Sequence, residues 1–308
     1  LWRLYYQKAK SRSEEFLEFD LGILCNLEGY NNPLFNNEES RQHSLKLFYL
    51  FFSHQFFTSL GENGQQLHLY SLEQTKFWEI NVKDDLARKV FDEVFEHIAQ
   101  QLIDHDPAKQ EDFNTEYLND VKKNALIFLY RLLFVFYAED RHLLPISSAL
   151  YQKKSLRELR RKIADDIDSA QTVYFKDSNV FWAHIQNIFK AVNQGDRNFS
   201  IPPYNGGLFS DGEAPLLNKS YIDDEALAKI IDNLSRSDVN DGGDGKAYIN
   251  YRDLSVQQLG SVYEKLLEYD VIHDTAHFIT VQLSPFARKE SGSYYTPDDL
   301  VELVLKET

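Results

Sequence analysis

Methionine is missing from all 308 residues, and Leu1 stands at the first position. Two explanations are open: the chain is a segment of a longer protein, or modified methionines were left out of the sequence, in which case some helical spacings would shift by one. A single cysteine, Cys25, excludes an internal disulfide and fits a reducing cytoplasm. Only 13 Gly and 8 Pro are present, well below the roughly 12% usual for the two together, so few residues interrupt helices. No secretory signal opens the chain, and no unbroken apolar run approaches the ~20 residues of a membrane span, so a cytoplasmic protein without membrane contact is expected. A basic surplus is lacking too. The 33 Lys and Arg face 48 Asp and Glu, a net charge of −15, whereas free-standing DNA-binding domains are usually basic. Any contact with nucleic acid must come from a local patch or from a portion of the protein outside this sequence.

What is present is material for a core. Apolar residues make up 43% and aromatics 14%, which excludes global disorder. At roughly 150 residues per domain the length suggests about two domains. Alternation near the start puts Trp2, Leu4 and Tyr6 on one face and Leu17, Phe19 and Leu21 on another, which predicts a hairpin or two sheet strands. From Ser44 the spacing turns helical, with Leu45, Phe48, Tyr49, Phe52 and Phe56 three or four residues apart. Further helices are predicted over 84–104, 115–142, 153–168, 179–193, 223–235 and 256–269, and a short strand over 278–283. In the stretch 125–138 only Arg131 is charged, and a helix apolar on every side belongs at the centre of a core. The fold class expected is mainly α, with a few short strands at the N-terminus and near 278–283. The loop 238–246 should be exposed. The loop 201–209, bounded by large apolar groups, should pack down.

Several chemical motifs fail on inspection. A phosphate loop ending at Gly245-Lys246 would need Gly at 240 and Ser or Thr at 247, where Asn240 and Ala247 stand. As a calcium loop the same stretch has Gly242 where an oxygen ligand belongs and Ile249 in place of the bidentate Glu. His273 and His277 are spaced like a zinc pair, but Asp274 replaces the needed Glu; they read as surface histidines, and no metal site is expected. No Glu-x-Lys triplet of a metal-dependent nuclease occurs, so any cutting residues would lie upstream of Leu1. Pro202-Pro203-Tyr204 lacks the polar residue with which amino-methylating enzymes hold their target amine; Ile201 stands there, and a structural turn is predicted. No catalytic residue is assigned.

Two segments remain. Lys153, Lys154, Arg157, Arg160, Arg161 and Lys162 concentrate six cations in ten residues, either as a solvated helix face or as a stripe that contacts phosphates. The segment Gly292-Ser293-Tyr294-Tyr295-Thr296-Pro297-Asp298-Asp299-Leu300-Val301 has the makings of a helix start: Thr296 can cap, Pro297 suits the first turn, and the two Asp favour the positive end of the dipole. Capping accounts for Thr296 onward but not for Gly292 or the paired tyrosines.

That last segment resembles the cofactor-pocket opening of adenine-specific DNA methyltransferases, Gly-x-aromatic-aromatic-Thr-Pro-x-x-aliphatic-aliphatic. Other phrases are similar to the helical spacer of type IIG enzymes, which fuse restriction and modification in one chain. They are Leu129-Tyr130-Arg131-Leu132-Leu133-Phe134, Tyr137-Ala138-Glu139-Asp140-Arg141, Tyr204-Asn205-Gly206-Gly207-Leu208-Phe209, Tyr251-Arg252-Asp253-Leu254 and Gln258-Leu259-Gly260-Ser261-Val262-Tyr263-Glu264. Leu1-Trp2-Arg3-Leu4-Tyr5 looks like the closing strand of the preceding nuclease-like domain. The resemblance implies that 1–40 is the edge of that domain with a connector, 41–286 a helical spacer and 287–308 the start of a methyltransferase domain. It implies S-adenosylmethionine as cofactor of the full-length protein, with Gly292, Tyr294, Tyr295, Thr296 and Pro297 at its pocket, and Mg2+ for any upstream nuclease. Double-stranded DNA would be the partner, touched by Lys153, Lys154, Arg157, Arg160 and Arg161, and phage defence the role. The family's Gly-rich and Asn-Pro-Pro-Tyr motifs do not occur before Thr308, so the segment alone should be inert. Two alternatives stay open: a non-catalytic helical adaptor that binds proteins, and a phage-exclusion methyltransferase without a nuclease.

Overall fold

The computed structural model describes residues 2–5, 16–19, 24, 38–61, 64–108, 113–146, 148–170, 174–204, 206–238, 246–252, 254, 260, 262, 265–274 and 278–284. It is mainly helical with a few short strands, as the composition requires. The chain divides into two units, Leu1–Ile80 and Asn81–Thr308.

In the first unit β1 (Trp2–Tyr5) and β2 (Phe16–Phe19) pair antiparallel, with Trp2 opposite Phe19 and Leu4 opposite Leu17, so the alternating faces read from the sequence meet as a hairpin pair. The aromatic helix becomes two. α1 (Glu38–Phe52) stops at Ser53, whose hydroxyl accepts from the Phe56 N–H and so caps α2 (His54–Thr58). The break turns Phe56 inward, where its ring meets those of Phe51 and Phe57. α3 (Leu67–Lys89) begins in this unit.

The second unit is built round one helix. α3 passes through a π turn (Val90–Val94) directly into α4 (Phe95–Asp104), and Asn114 then caps α5 (Thr115–Asp140). α5 is buried on nearly all sides from Tyr117 to Asp140, the central position expected of a stretch whose one charge is Arg131. α6 (Ala149–Gln152), α7 (Leu156–Ser169), α8 (Val180–Gln194) and α9 (Asp224–Ser235) follow, α9 packing on both α7 and α8. Short 3-10 turns occupy Gly207–Phe209, Asp211–Glu213 and Pro215–Asn218. β3 (Arg236–Ser237) pairs with β4 (Ala247–Tyr248), and β5 (Tyr269–Asp274) with β6 (Phe278–Leu283), all antiparallel. No described helix is long and apolar enough to cross a membrane.

Besides the aromatic helix, which starts at Glu38 and breaks at Ser53, other boundaries differ from those the sequence predicts. The helix expected from residue 84 begins at Leu67, because its first turns carry no clean apolar stripe. The helix expected over 153–168 starts at Leu156: Ser155 takes the cap, and Lys153 and Lys154 lie in the preceding turn. The helix expected to reach 269 gives way to β5, in which Tyr269, Val271 and His273 pair with Leu283, Val281 and Ile279. No clean alternation marks it in the sequence, because Val271 and Ile272 are adjacent apolar residues and His273 and Asp274 adjacent polar ones.

Candidate nucleic-acid interface

The basic stretch is positioned by the end of α5. Glu139 and Asp140 are adjacent, so at about 100° per residue they point in different directions. Glu139 is 1% exposed and accepts from the Leu156 N–H at 2.9 Å, the Arg157 N–H at 2.7 Å and the Tyr151 hydroxyl at 2.7 Å. It therefore satisfies two of the four free amides at the start of α7. A third binds the Ser155 hydroxyl, which accepts from the Glu158 N–H. Burial pushes the Glu139 carboxyl up to about 7, against the Tyr151 hydroxyl, the Leu156 and Arg157 amides and the Arg160 charge, which all favour its anion. Asp140 faces the flank of α7. Its two oxygens take Arg160 Nη2 at 2.8 Å and Nη1 at 3.4 Å, and one also accepts the Tyr251 N–H at 3.1 Å. The Arg160 guanidinium lies 5.5 Å from the centre of the Phe136 ring, which stacks on Tyr251.

The six cations are thereby sorted. Arg160 is 7% exposed and committed to Asp140; an interior ion pair takes the place of the expected phosphate contact, because its helix phase points it at the core. Arg157 is half-buried, and burial pushes its pKa down while Asp140 pulls it back. Arg161 sits on the outer side but pairs with Glu158 at 2.6 Å and Asp165 at 3.5 Å. Lys153, Lys154 and Lys162 are exposed. Lys153, Arg161 and Lys162 come together on one open cleft of about 390 Å3, with Leu159 and Phe181 as apolar wall and Glu158 and Asp165 as opposing charges. His184 also lines it, and burial, with the Lys154 charge, lowers its pKa.

The recurring phrases meet in pairs. Arg131, in the first, donates from Nε to the Leu208 carbonyl at 2.8 Å and from Nη2 to that of Ser210 at 2.9 Å, while Phe134 packs edge-on to Phe209 and Tyr204. Asp140, in the second, holds the Tyr251 N–H, and the Tyr251 hydroxyl donates to the Leu234 carbonyl at 2.6 Å. These residues join elements: Arg131 and the Tyr251 hydroxyl bind backbone carbonyls, and Asp140 binds both a backbone amide and the Arg160 side chain. Pro202-Pro203-Tyr204 is not itself the expected turn: the turn lies just before it, at 197–200, and the motif is irregular backbone that packs down, the Tyr204 hydroxyl donating to the Leu143 carbonyl at 2.6 Å, with Ile201 and Phe209 buried on either side. Gly195 at φ +77° is needed beneath it, since a Cβ there would come within 2.9 Å of the Pro203 nitrogen.

His273 is exposed on β5 with its ring stacked 4.1 Å from Phe113; His277 lies outside the described residues. Among the described residues no group of three or more His, Cys, Asp or Glu is placed to hold a metal ion. Gly292, Tyr294, Tyr295, Thr296 and Pro297 also lie outside them, as does most of the loop 238–246. Sequence reasoning missed Glu139 and Asp140 as the support of the basic stretch. The signal was present: Ser155-Leu156-Arg157-Glu158 has the sequence pattern of a capping box, and it follows an acidic pair at the end of an apolar helix.

No family model matches the chain. No solved structure matches it either. A protein of Methanocaldococcus jannaschii, provisionally named a type II restriction enzyme and methyltransferase, is 26% identical over 203 residues, which cover 61% of this chain and 15% of that protein. The chain is thus similar to part of a restriction–modification protein and spans a small fraction of its relative's length.

Proposed function

We propose that this chain is the helical connector of a restriction–modification protein of the type IIG kind, whose parent transfers a methyl group from S-adenosylmethionine to adenine in DNA and cleaves unmodified DNA. The observation that carries the reading is the similarity to a protein named for both activities. The phrases that join α5 to its surroundings, followed by the Gly292 to Pro297 segment, support it. In the parent, residues 1–40 adjoin the nuclease-like domain, 41–286 form the spacer and 287–308 open the methyltransferase domain. The nuclease uses Mg2+ upstream of this segment. Phosphates are met by Lys153, Lys154 and Lys162, whose charges face solvent, with Arg157 and Arg161 at the margin. At the cofactor, Gly292 permits close approach of backbone, Tyr294 and Tyr295 offer apolar faces, and the amides opened by Thr296 and Pro297 suit a carboxylate. The protein works in the cytoplasm, in defence against phage.

Labelled methyl transfer tests this reading. The parent protein should incorporate label from S-adenosylmethionine into adenine, and the isolated segment should not; incorporation by the segment alone contradicts the connector. In the parent, Tyr295→Ala with Thr296→Ala should weaken cofactor binding in calorimetry without lowering the melting temperature. The net charge of −15 favours one rival, a protein-binding adaptor, which would show no salt-dependent affinity for DNA at all.

A further inference from the structure

The geometry points to Glu139 and Asp140 as positioning residues that jointly set the aim of α7, and through it the lysines that meet DNA; this rests on the reading of those lysines as phosphate contacts. The two carboxylates constrain different freedoms. Glu139 meets α7 end-on through the Leu156 and Arg157 amides and so fixes where the helix begins along its axis. Asp140 meets it from the side through Arg160 and so fixes its rotation. A helix held only at its end can swivel, and one held only at its flank can slide. Held at both, it has one orientation.

The cations inherit that orientation. Lys162 lies two residues past Arg160, about 200° round the helix, so turning Arg160 inward turns Lys162 outward. Lys153 and Lys154 precede the helix, in a turn closed by the Lys154 N–H on the Tyr151 carbonyl at 2.8 Å. The hydroxyl of that same Tyr151 donates to Glu139. One buried carboxylate therefore anchors both the turn that carries two lysines and the helix that carries the third. Around it stand the Tyr151 hydroxyl from α6, Arg157 and Arg160 from α7, and Asp140 beside it on α5. None of the described contacts of Glu139 or Asp140 leads to the cleft, so both act through α7.

The parent protein, bound to duplex DNA over a salt series, separates this from a merely structural role. The reference arm is Lys153→Gln, Lys154→Gln and Lys162→Gln together, which should reduce the slope of log K against log salt by about 0.9 for each phosphate no longer neutralised. Glu139→Gln keeps the volume but offers only one acceptor oxygen, so the Arg157 amide should exchange its hydrogen faster; Asp140→Asn loosens the Arg160 pair. Each, still melting cooperatively, should reduce the slope by about 0.9 or more, the equivalent of at least one phosphate. If the lysine variant keeps the wild-type slope, the DNA reading itself fails. If its slope falls while folded Glu139→Gln and Asp140→Asn keep theirs, positioning is overturned and the carboxylates only stabilise. Should Asp140→Asn not fold, Arg160→Lys tests the same pair with both charges retained.

Discussion

Arg160 and Lys162 are two residues apart on one helix, carry the same charge, and end in opposite surroundings. Arg160 is buried against Asp140 and Phe136, whereas Lys162 stands in solvent at the mouth of an open cleft. A run of cations is therefore not a surface. Helix phase divides it into a face that holds the fold, where Arg160 lies buried with Leu156, Leu159 and Ile163, and a face that stands in solvent. Glutamates and aspartates divide the same way: Asp140 serves the interior, while Glu158 and Asp165 temper Arg161 outside.

The contrast breaks most visibly in stability. Asp140→Ala would leave Arg160 buried without its partner and should cost about 3–5 kcal/mol, read as a lower midpoint in thermal or urea unfolding. A loss under about 1 kcal/mol would mean the pair is wet. Next is pH. Glu139 is held near 7 in the folded protein against an unfolded value near 4.5, so folding takes up a proton between these values. Its contribution is complete below pH 4.5 and is lost as pH rises through 7. Up to about 3 kcal/mol should disappear across that window, and the pH dependence should flatten in Glu139→Gln. On the outer face, Arg161→Ala removes half-exposed pairs with its own helix neighbours and should cost about 0.5 kcal/mol or less. Smallest of all, Lys162→Gln should leave stability within about 0.5 kcal/mol. A larger loss at Lys162 would show that the outer face also holds the fold.

Much of this fold was legible because its signals are local. An apolar run with one Arg marked α5 as central, and alternation near Trp2 and Phe278 marked strands. Large apolar groups at its two ends marked the loop 201–209 as one that packs down, and Ile201 and Phe209 are buried. What escaped was set by partners distant in sequence. Arg160 looked like its neighbours until Asp140, twenty residues earlier, drew it inward. The start of α3 lacked a periodic stripe, and β5, with Val271 beside Ile272 and His273 beside Asp274, lacked the clean alternation that would set it off from the helical pattern before it. Gly292 to Pro297 are assigned through resemblance alone, since capping explains half of that segment, and they lie outside the described residues.

On the proposed reading, the basic stretch divides into a cation that supports the fold, Arg160, and cations that meet DNA, Lys153, Lys154 and Lys162. Unfolding midpoint and DNA affinity, measured together for two variants of the parent protein, separate the two roles. Lys153→Gln, Lys154→Gln and Lys162→Gln combined should weaken DNA binding alike on every sequence and leave the midpoint unchanged. Asp140→Ala should lower the midpoint sharply. A lysine variant that melts early yet binds DNA as tightly as wild type would show that these lysines hold the fold and do not meet DNA.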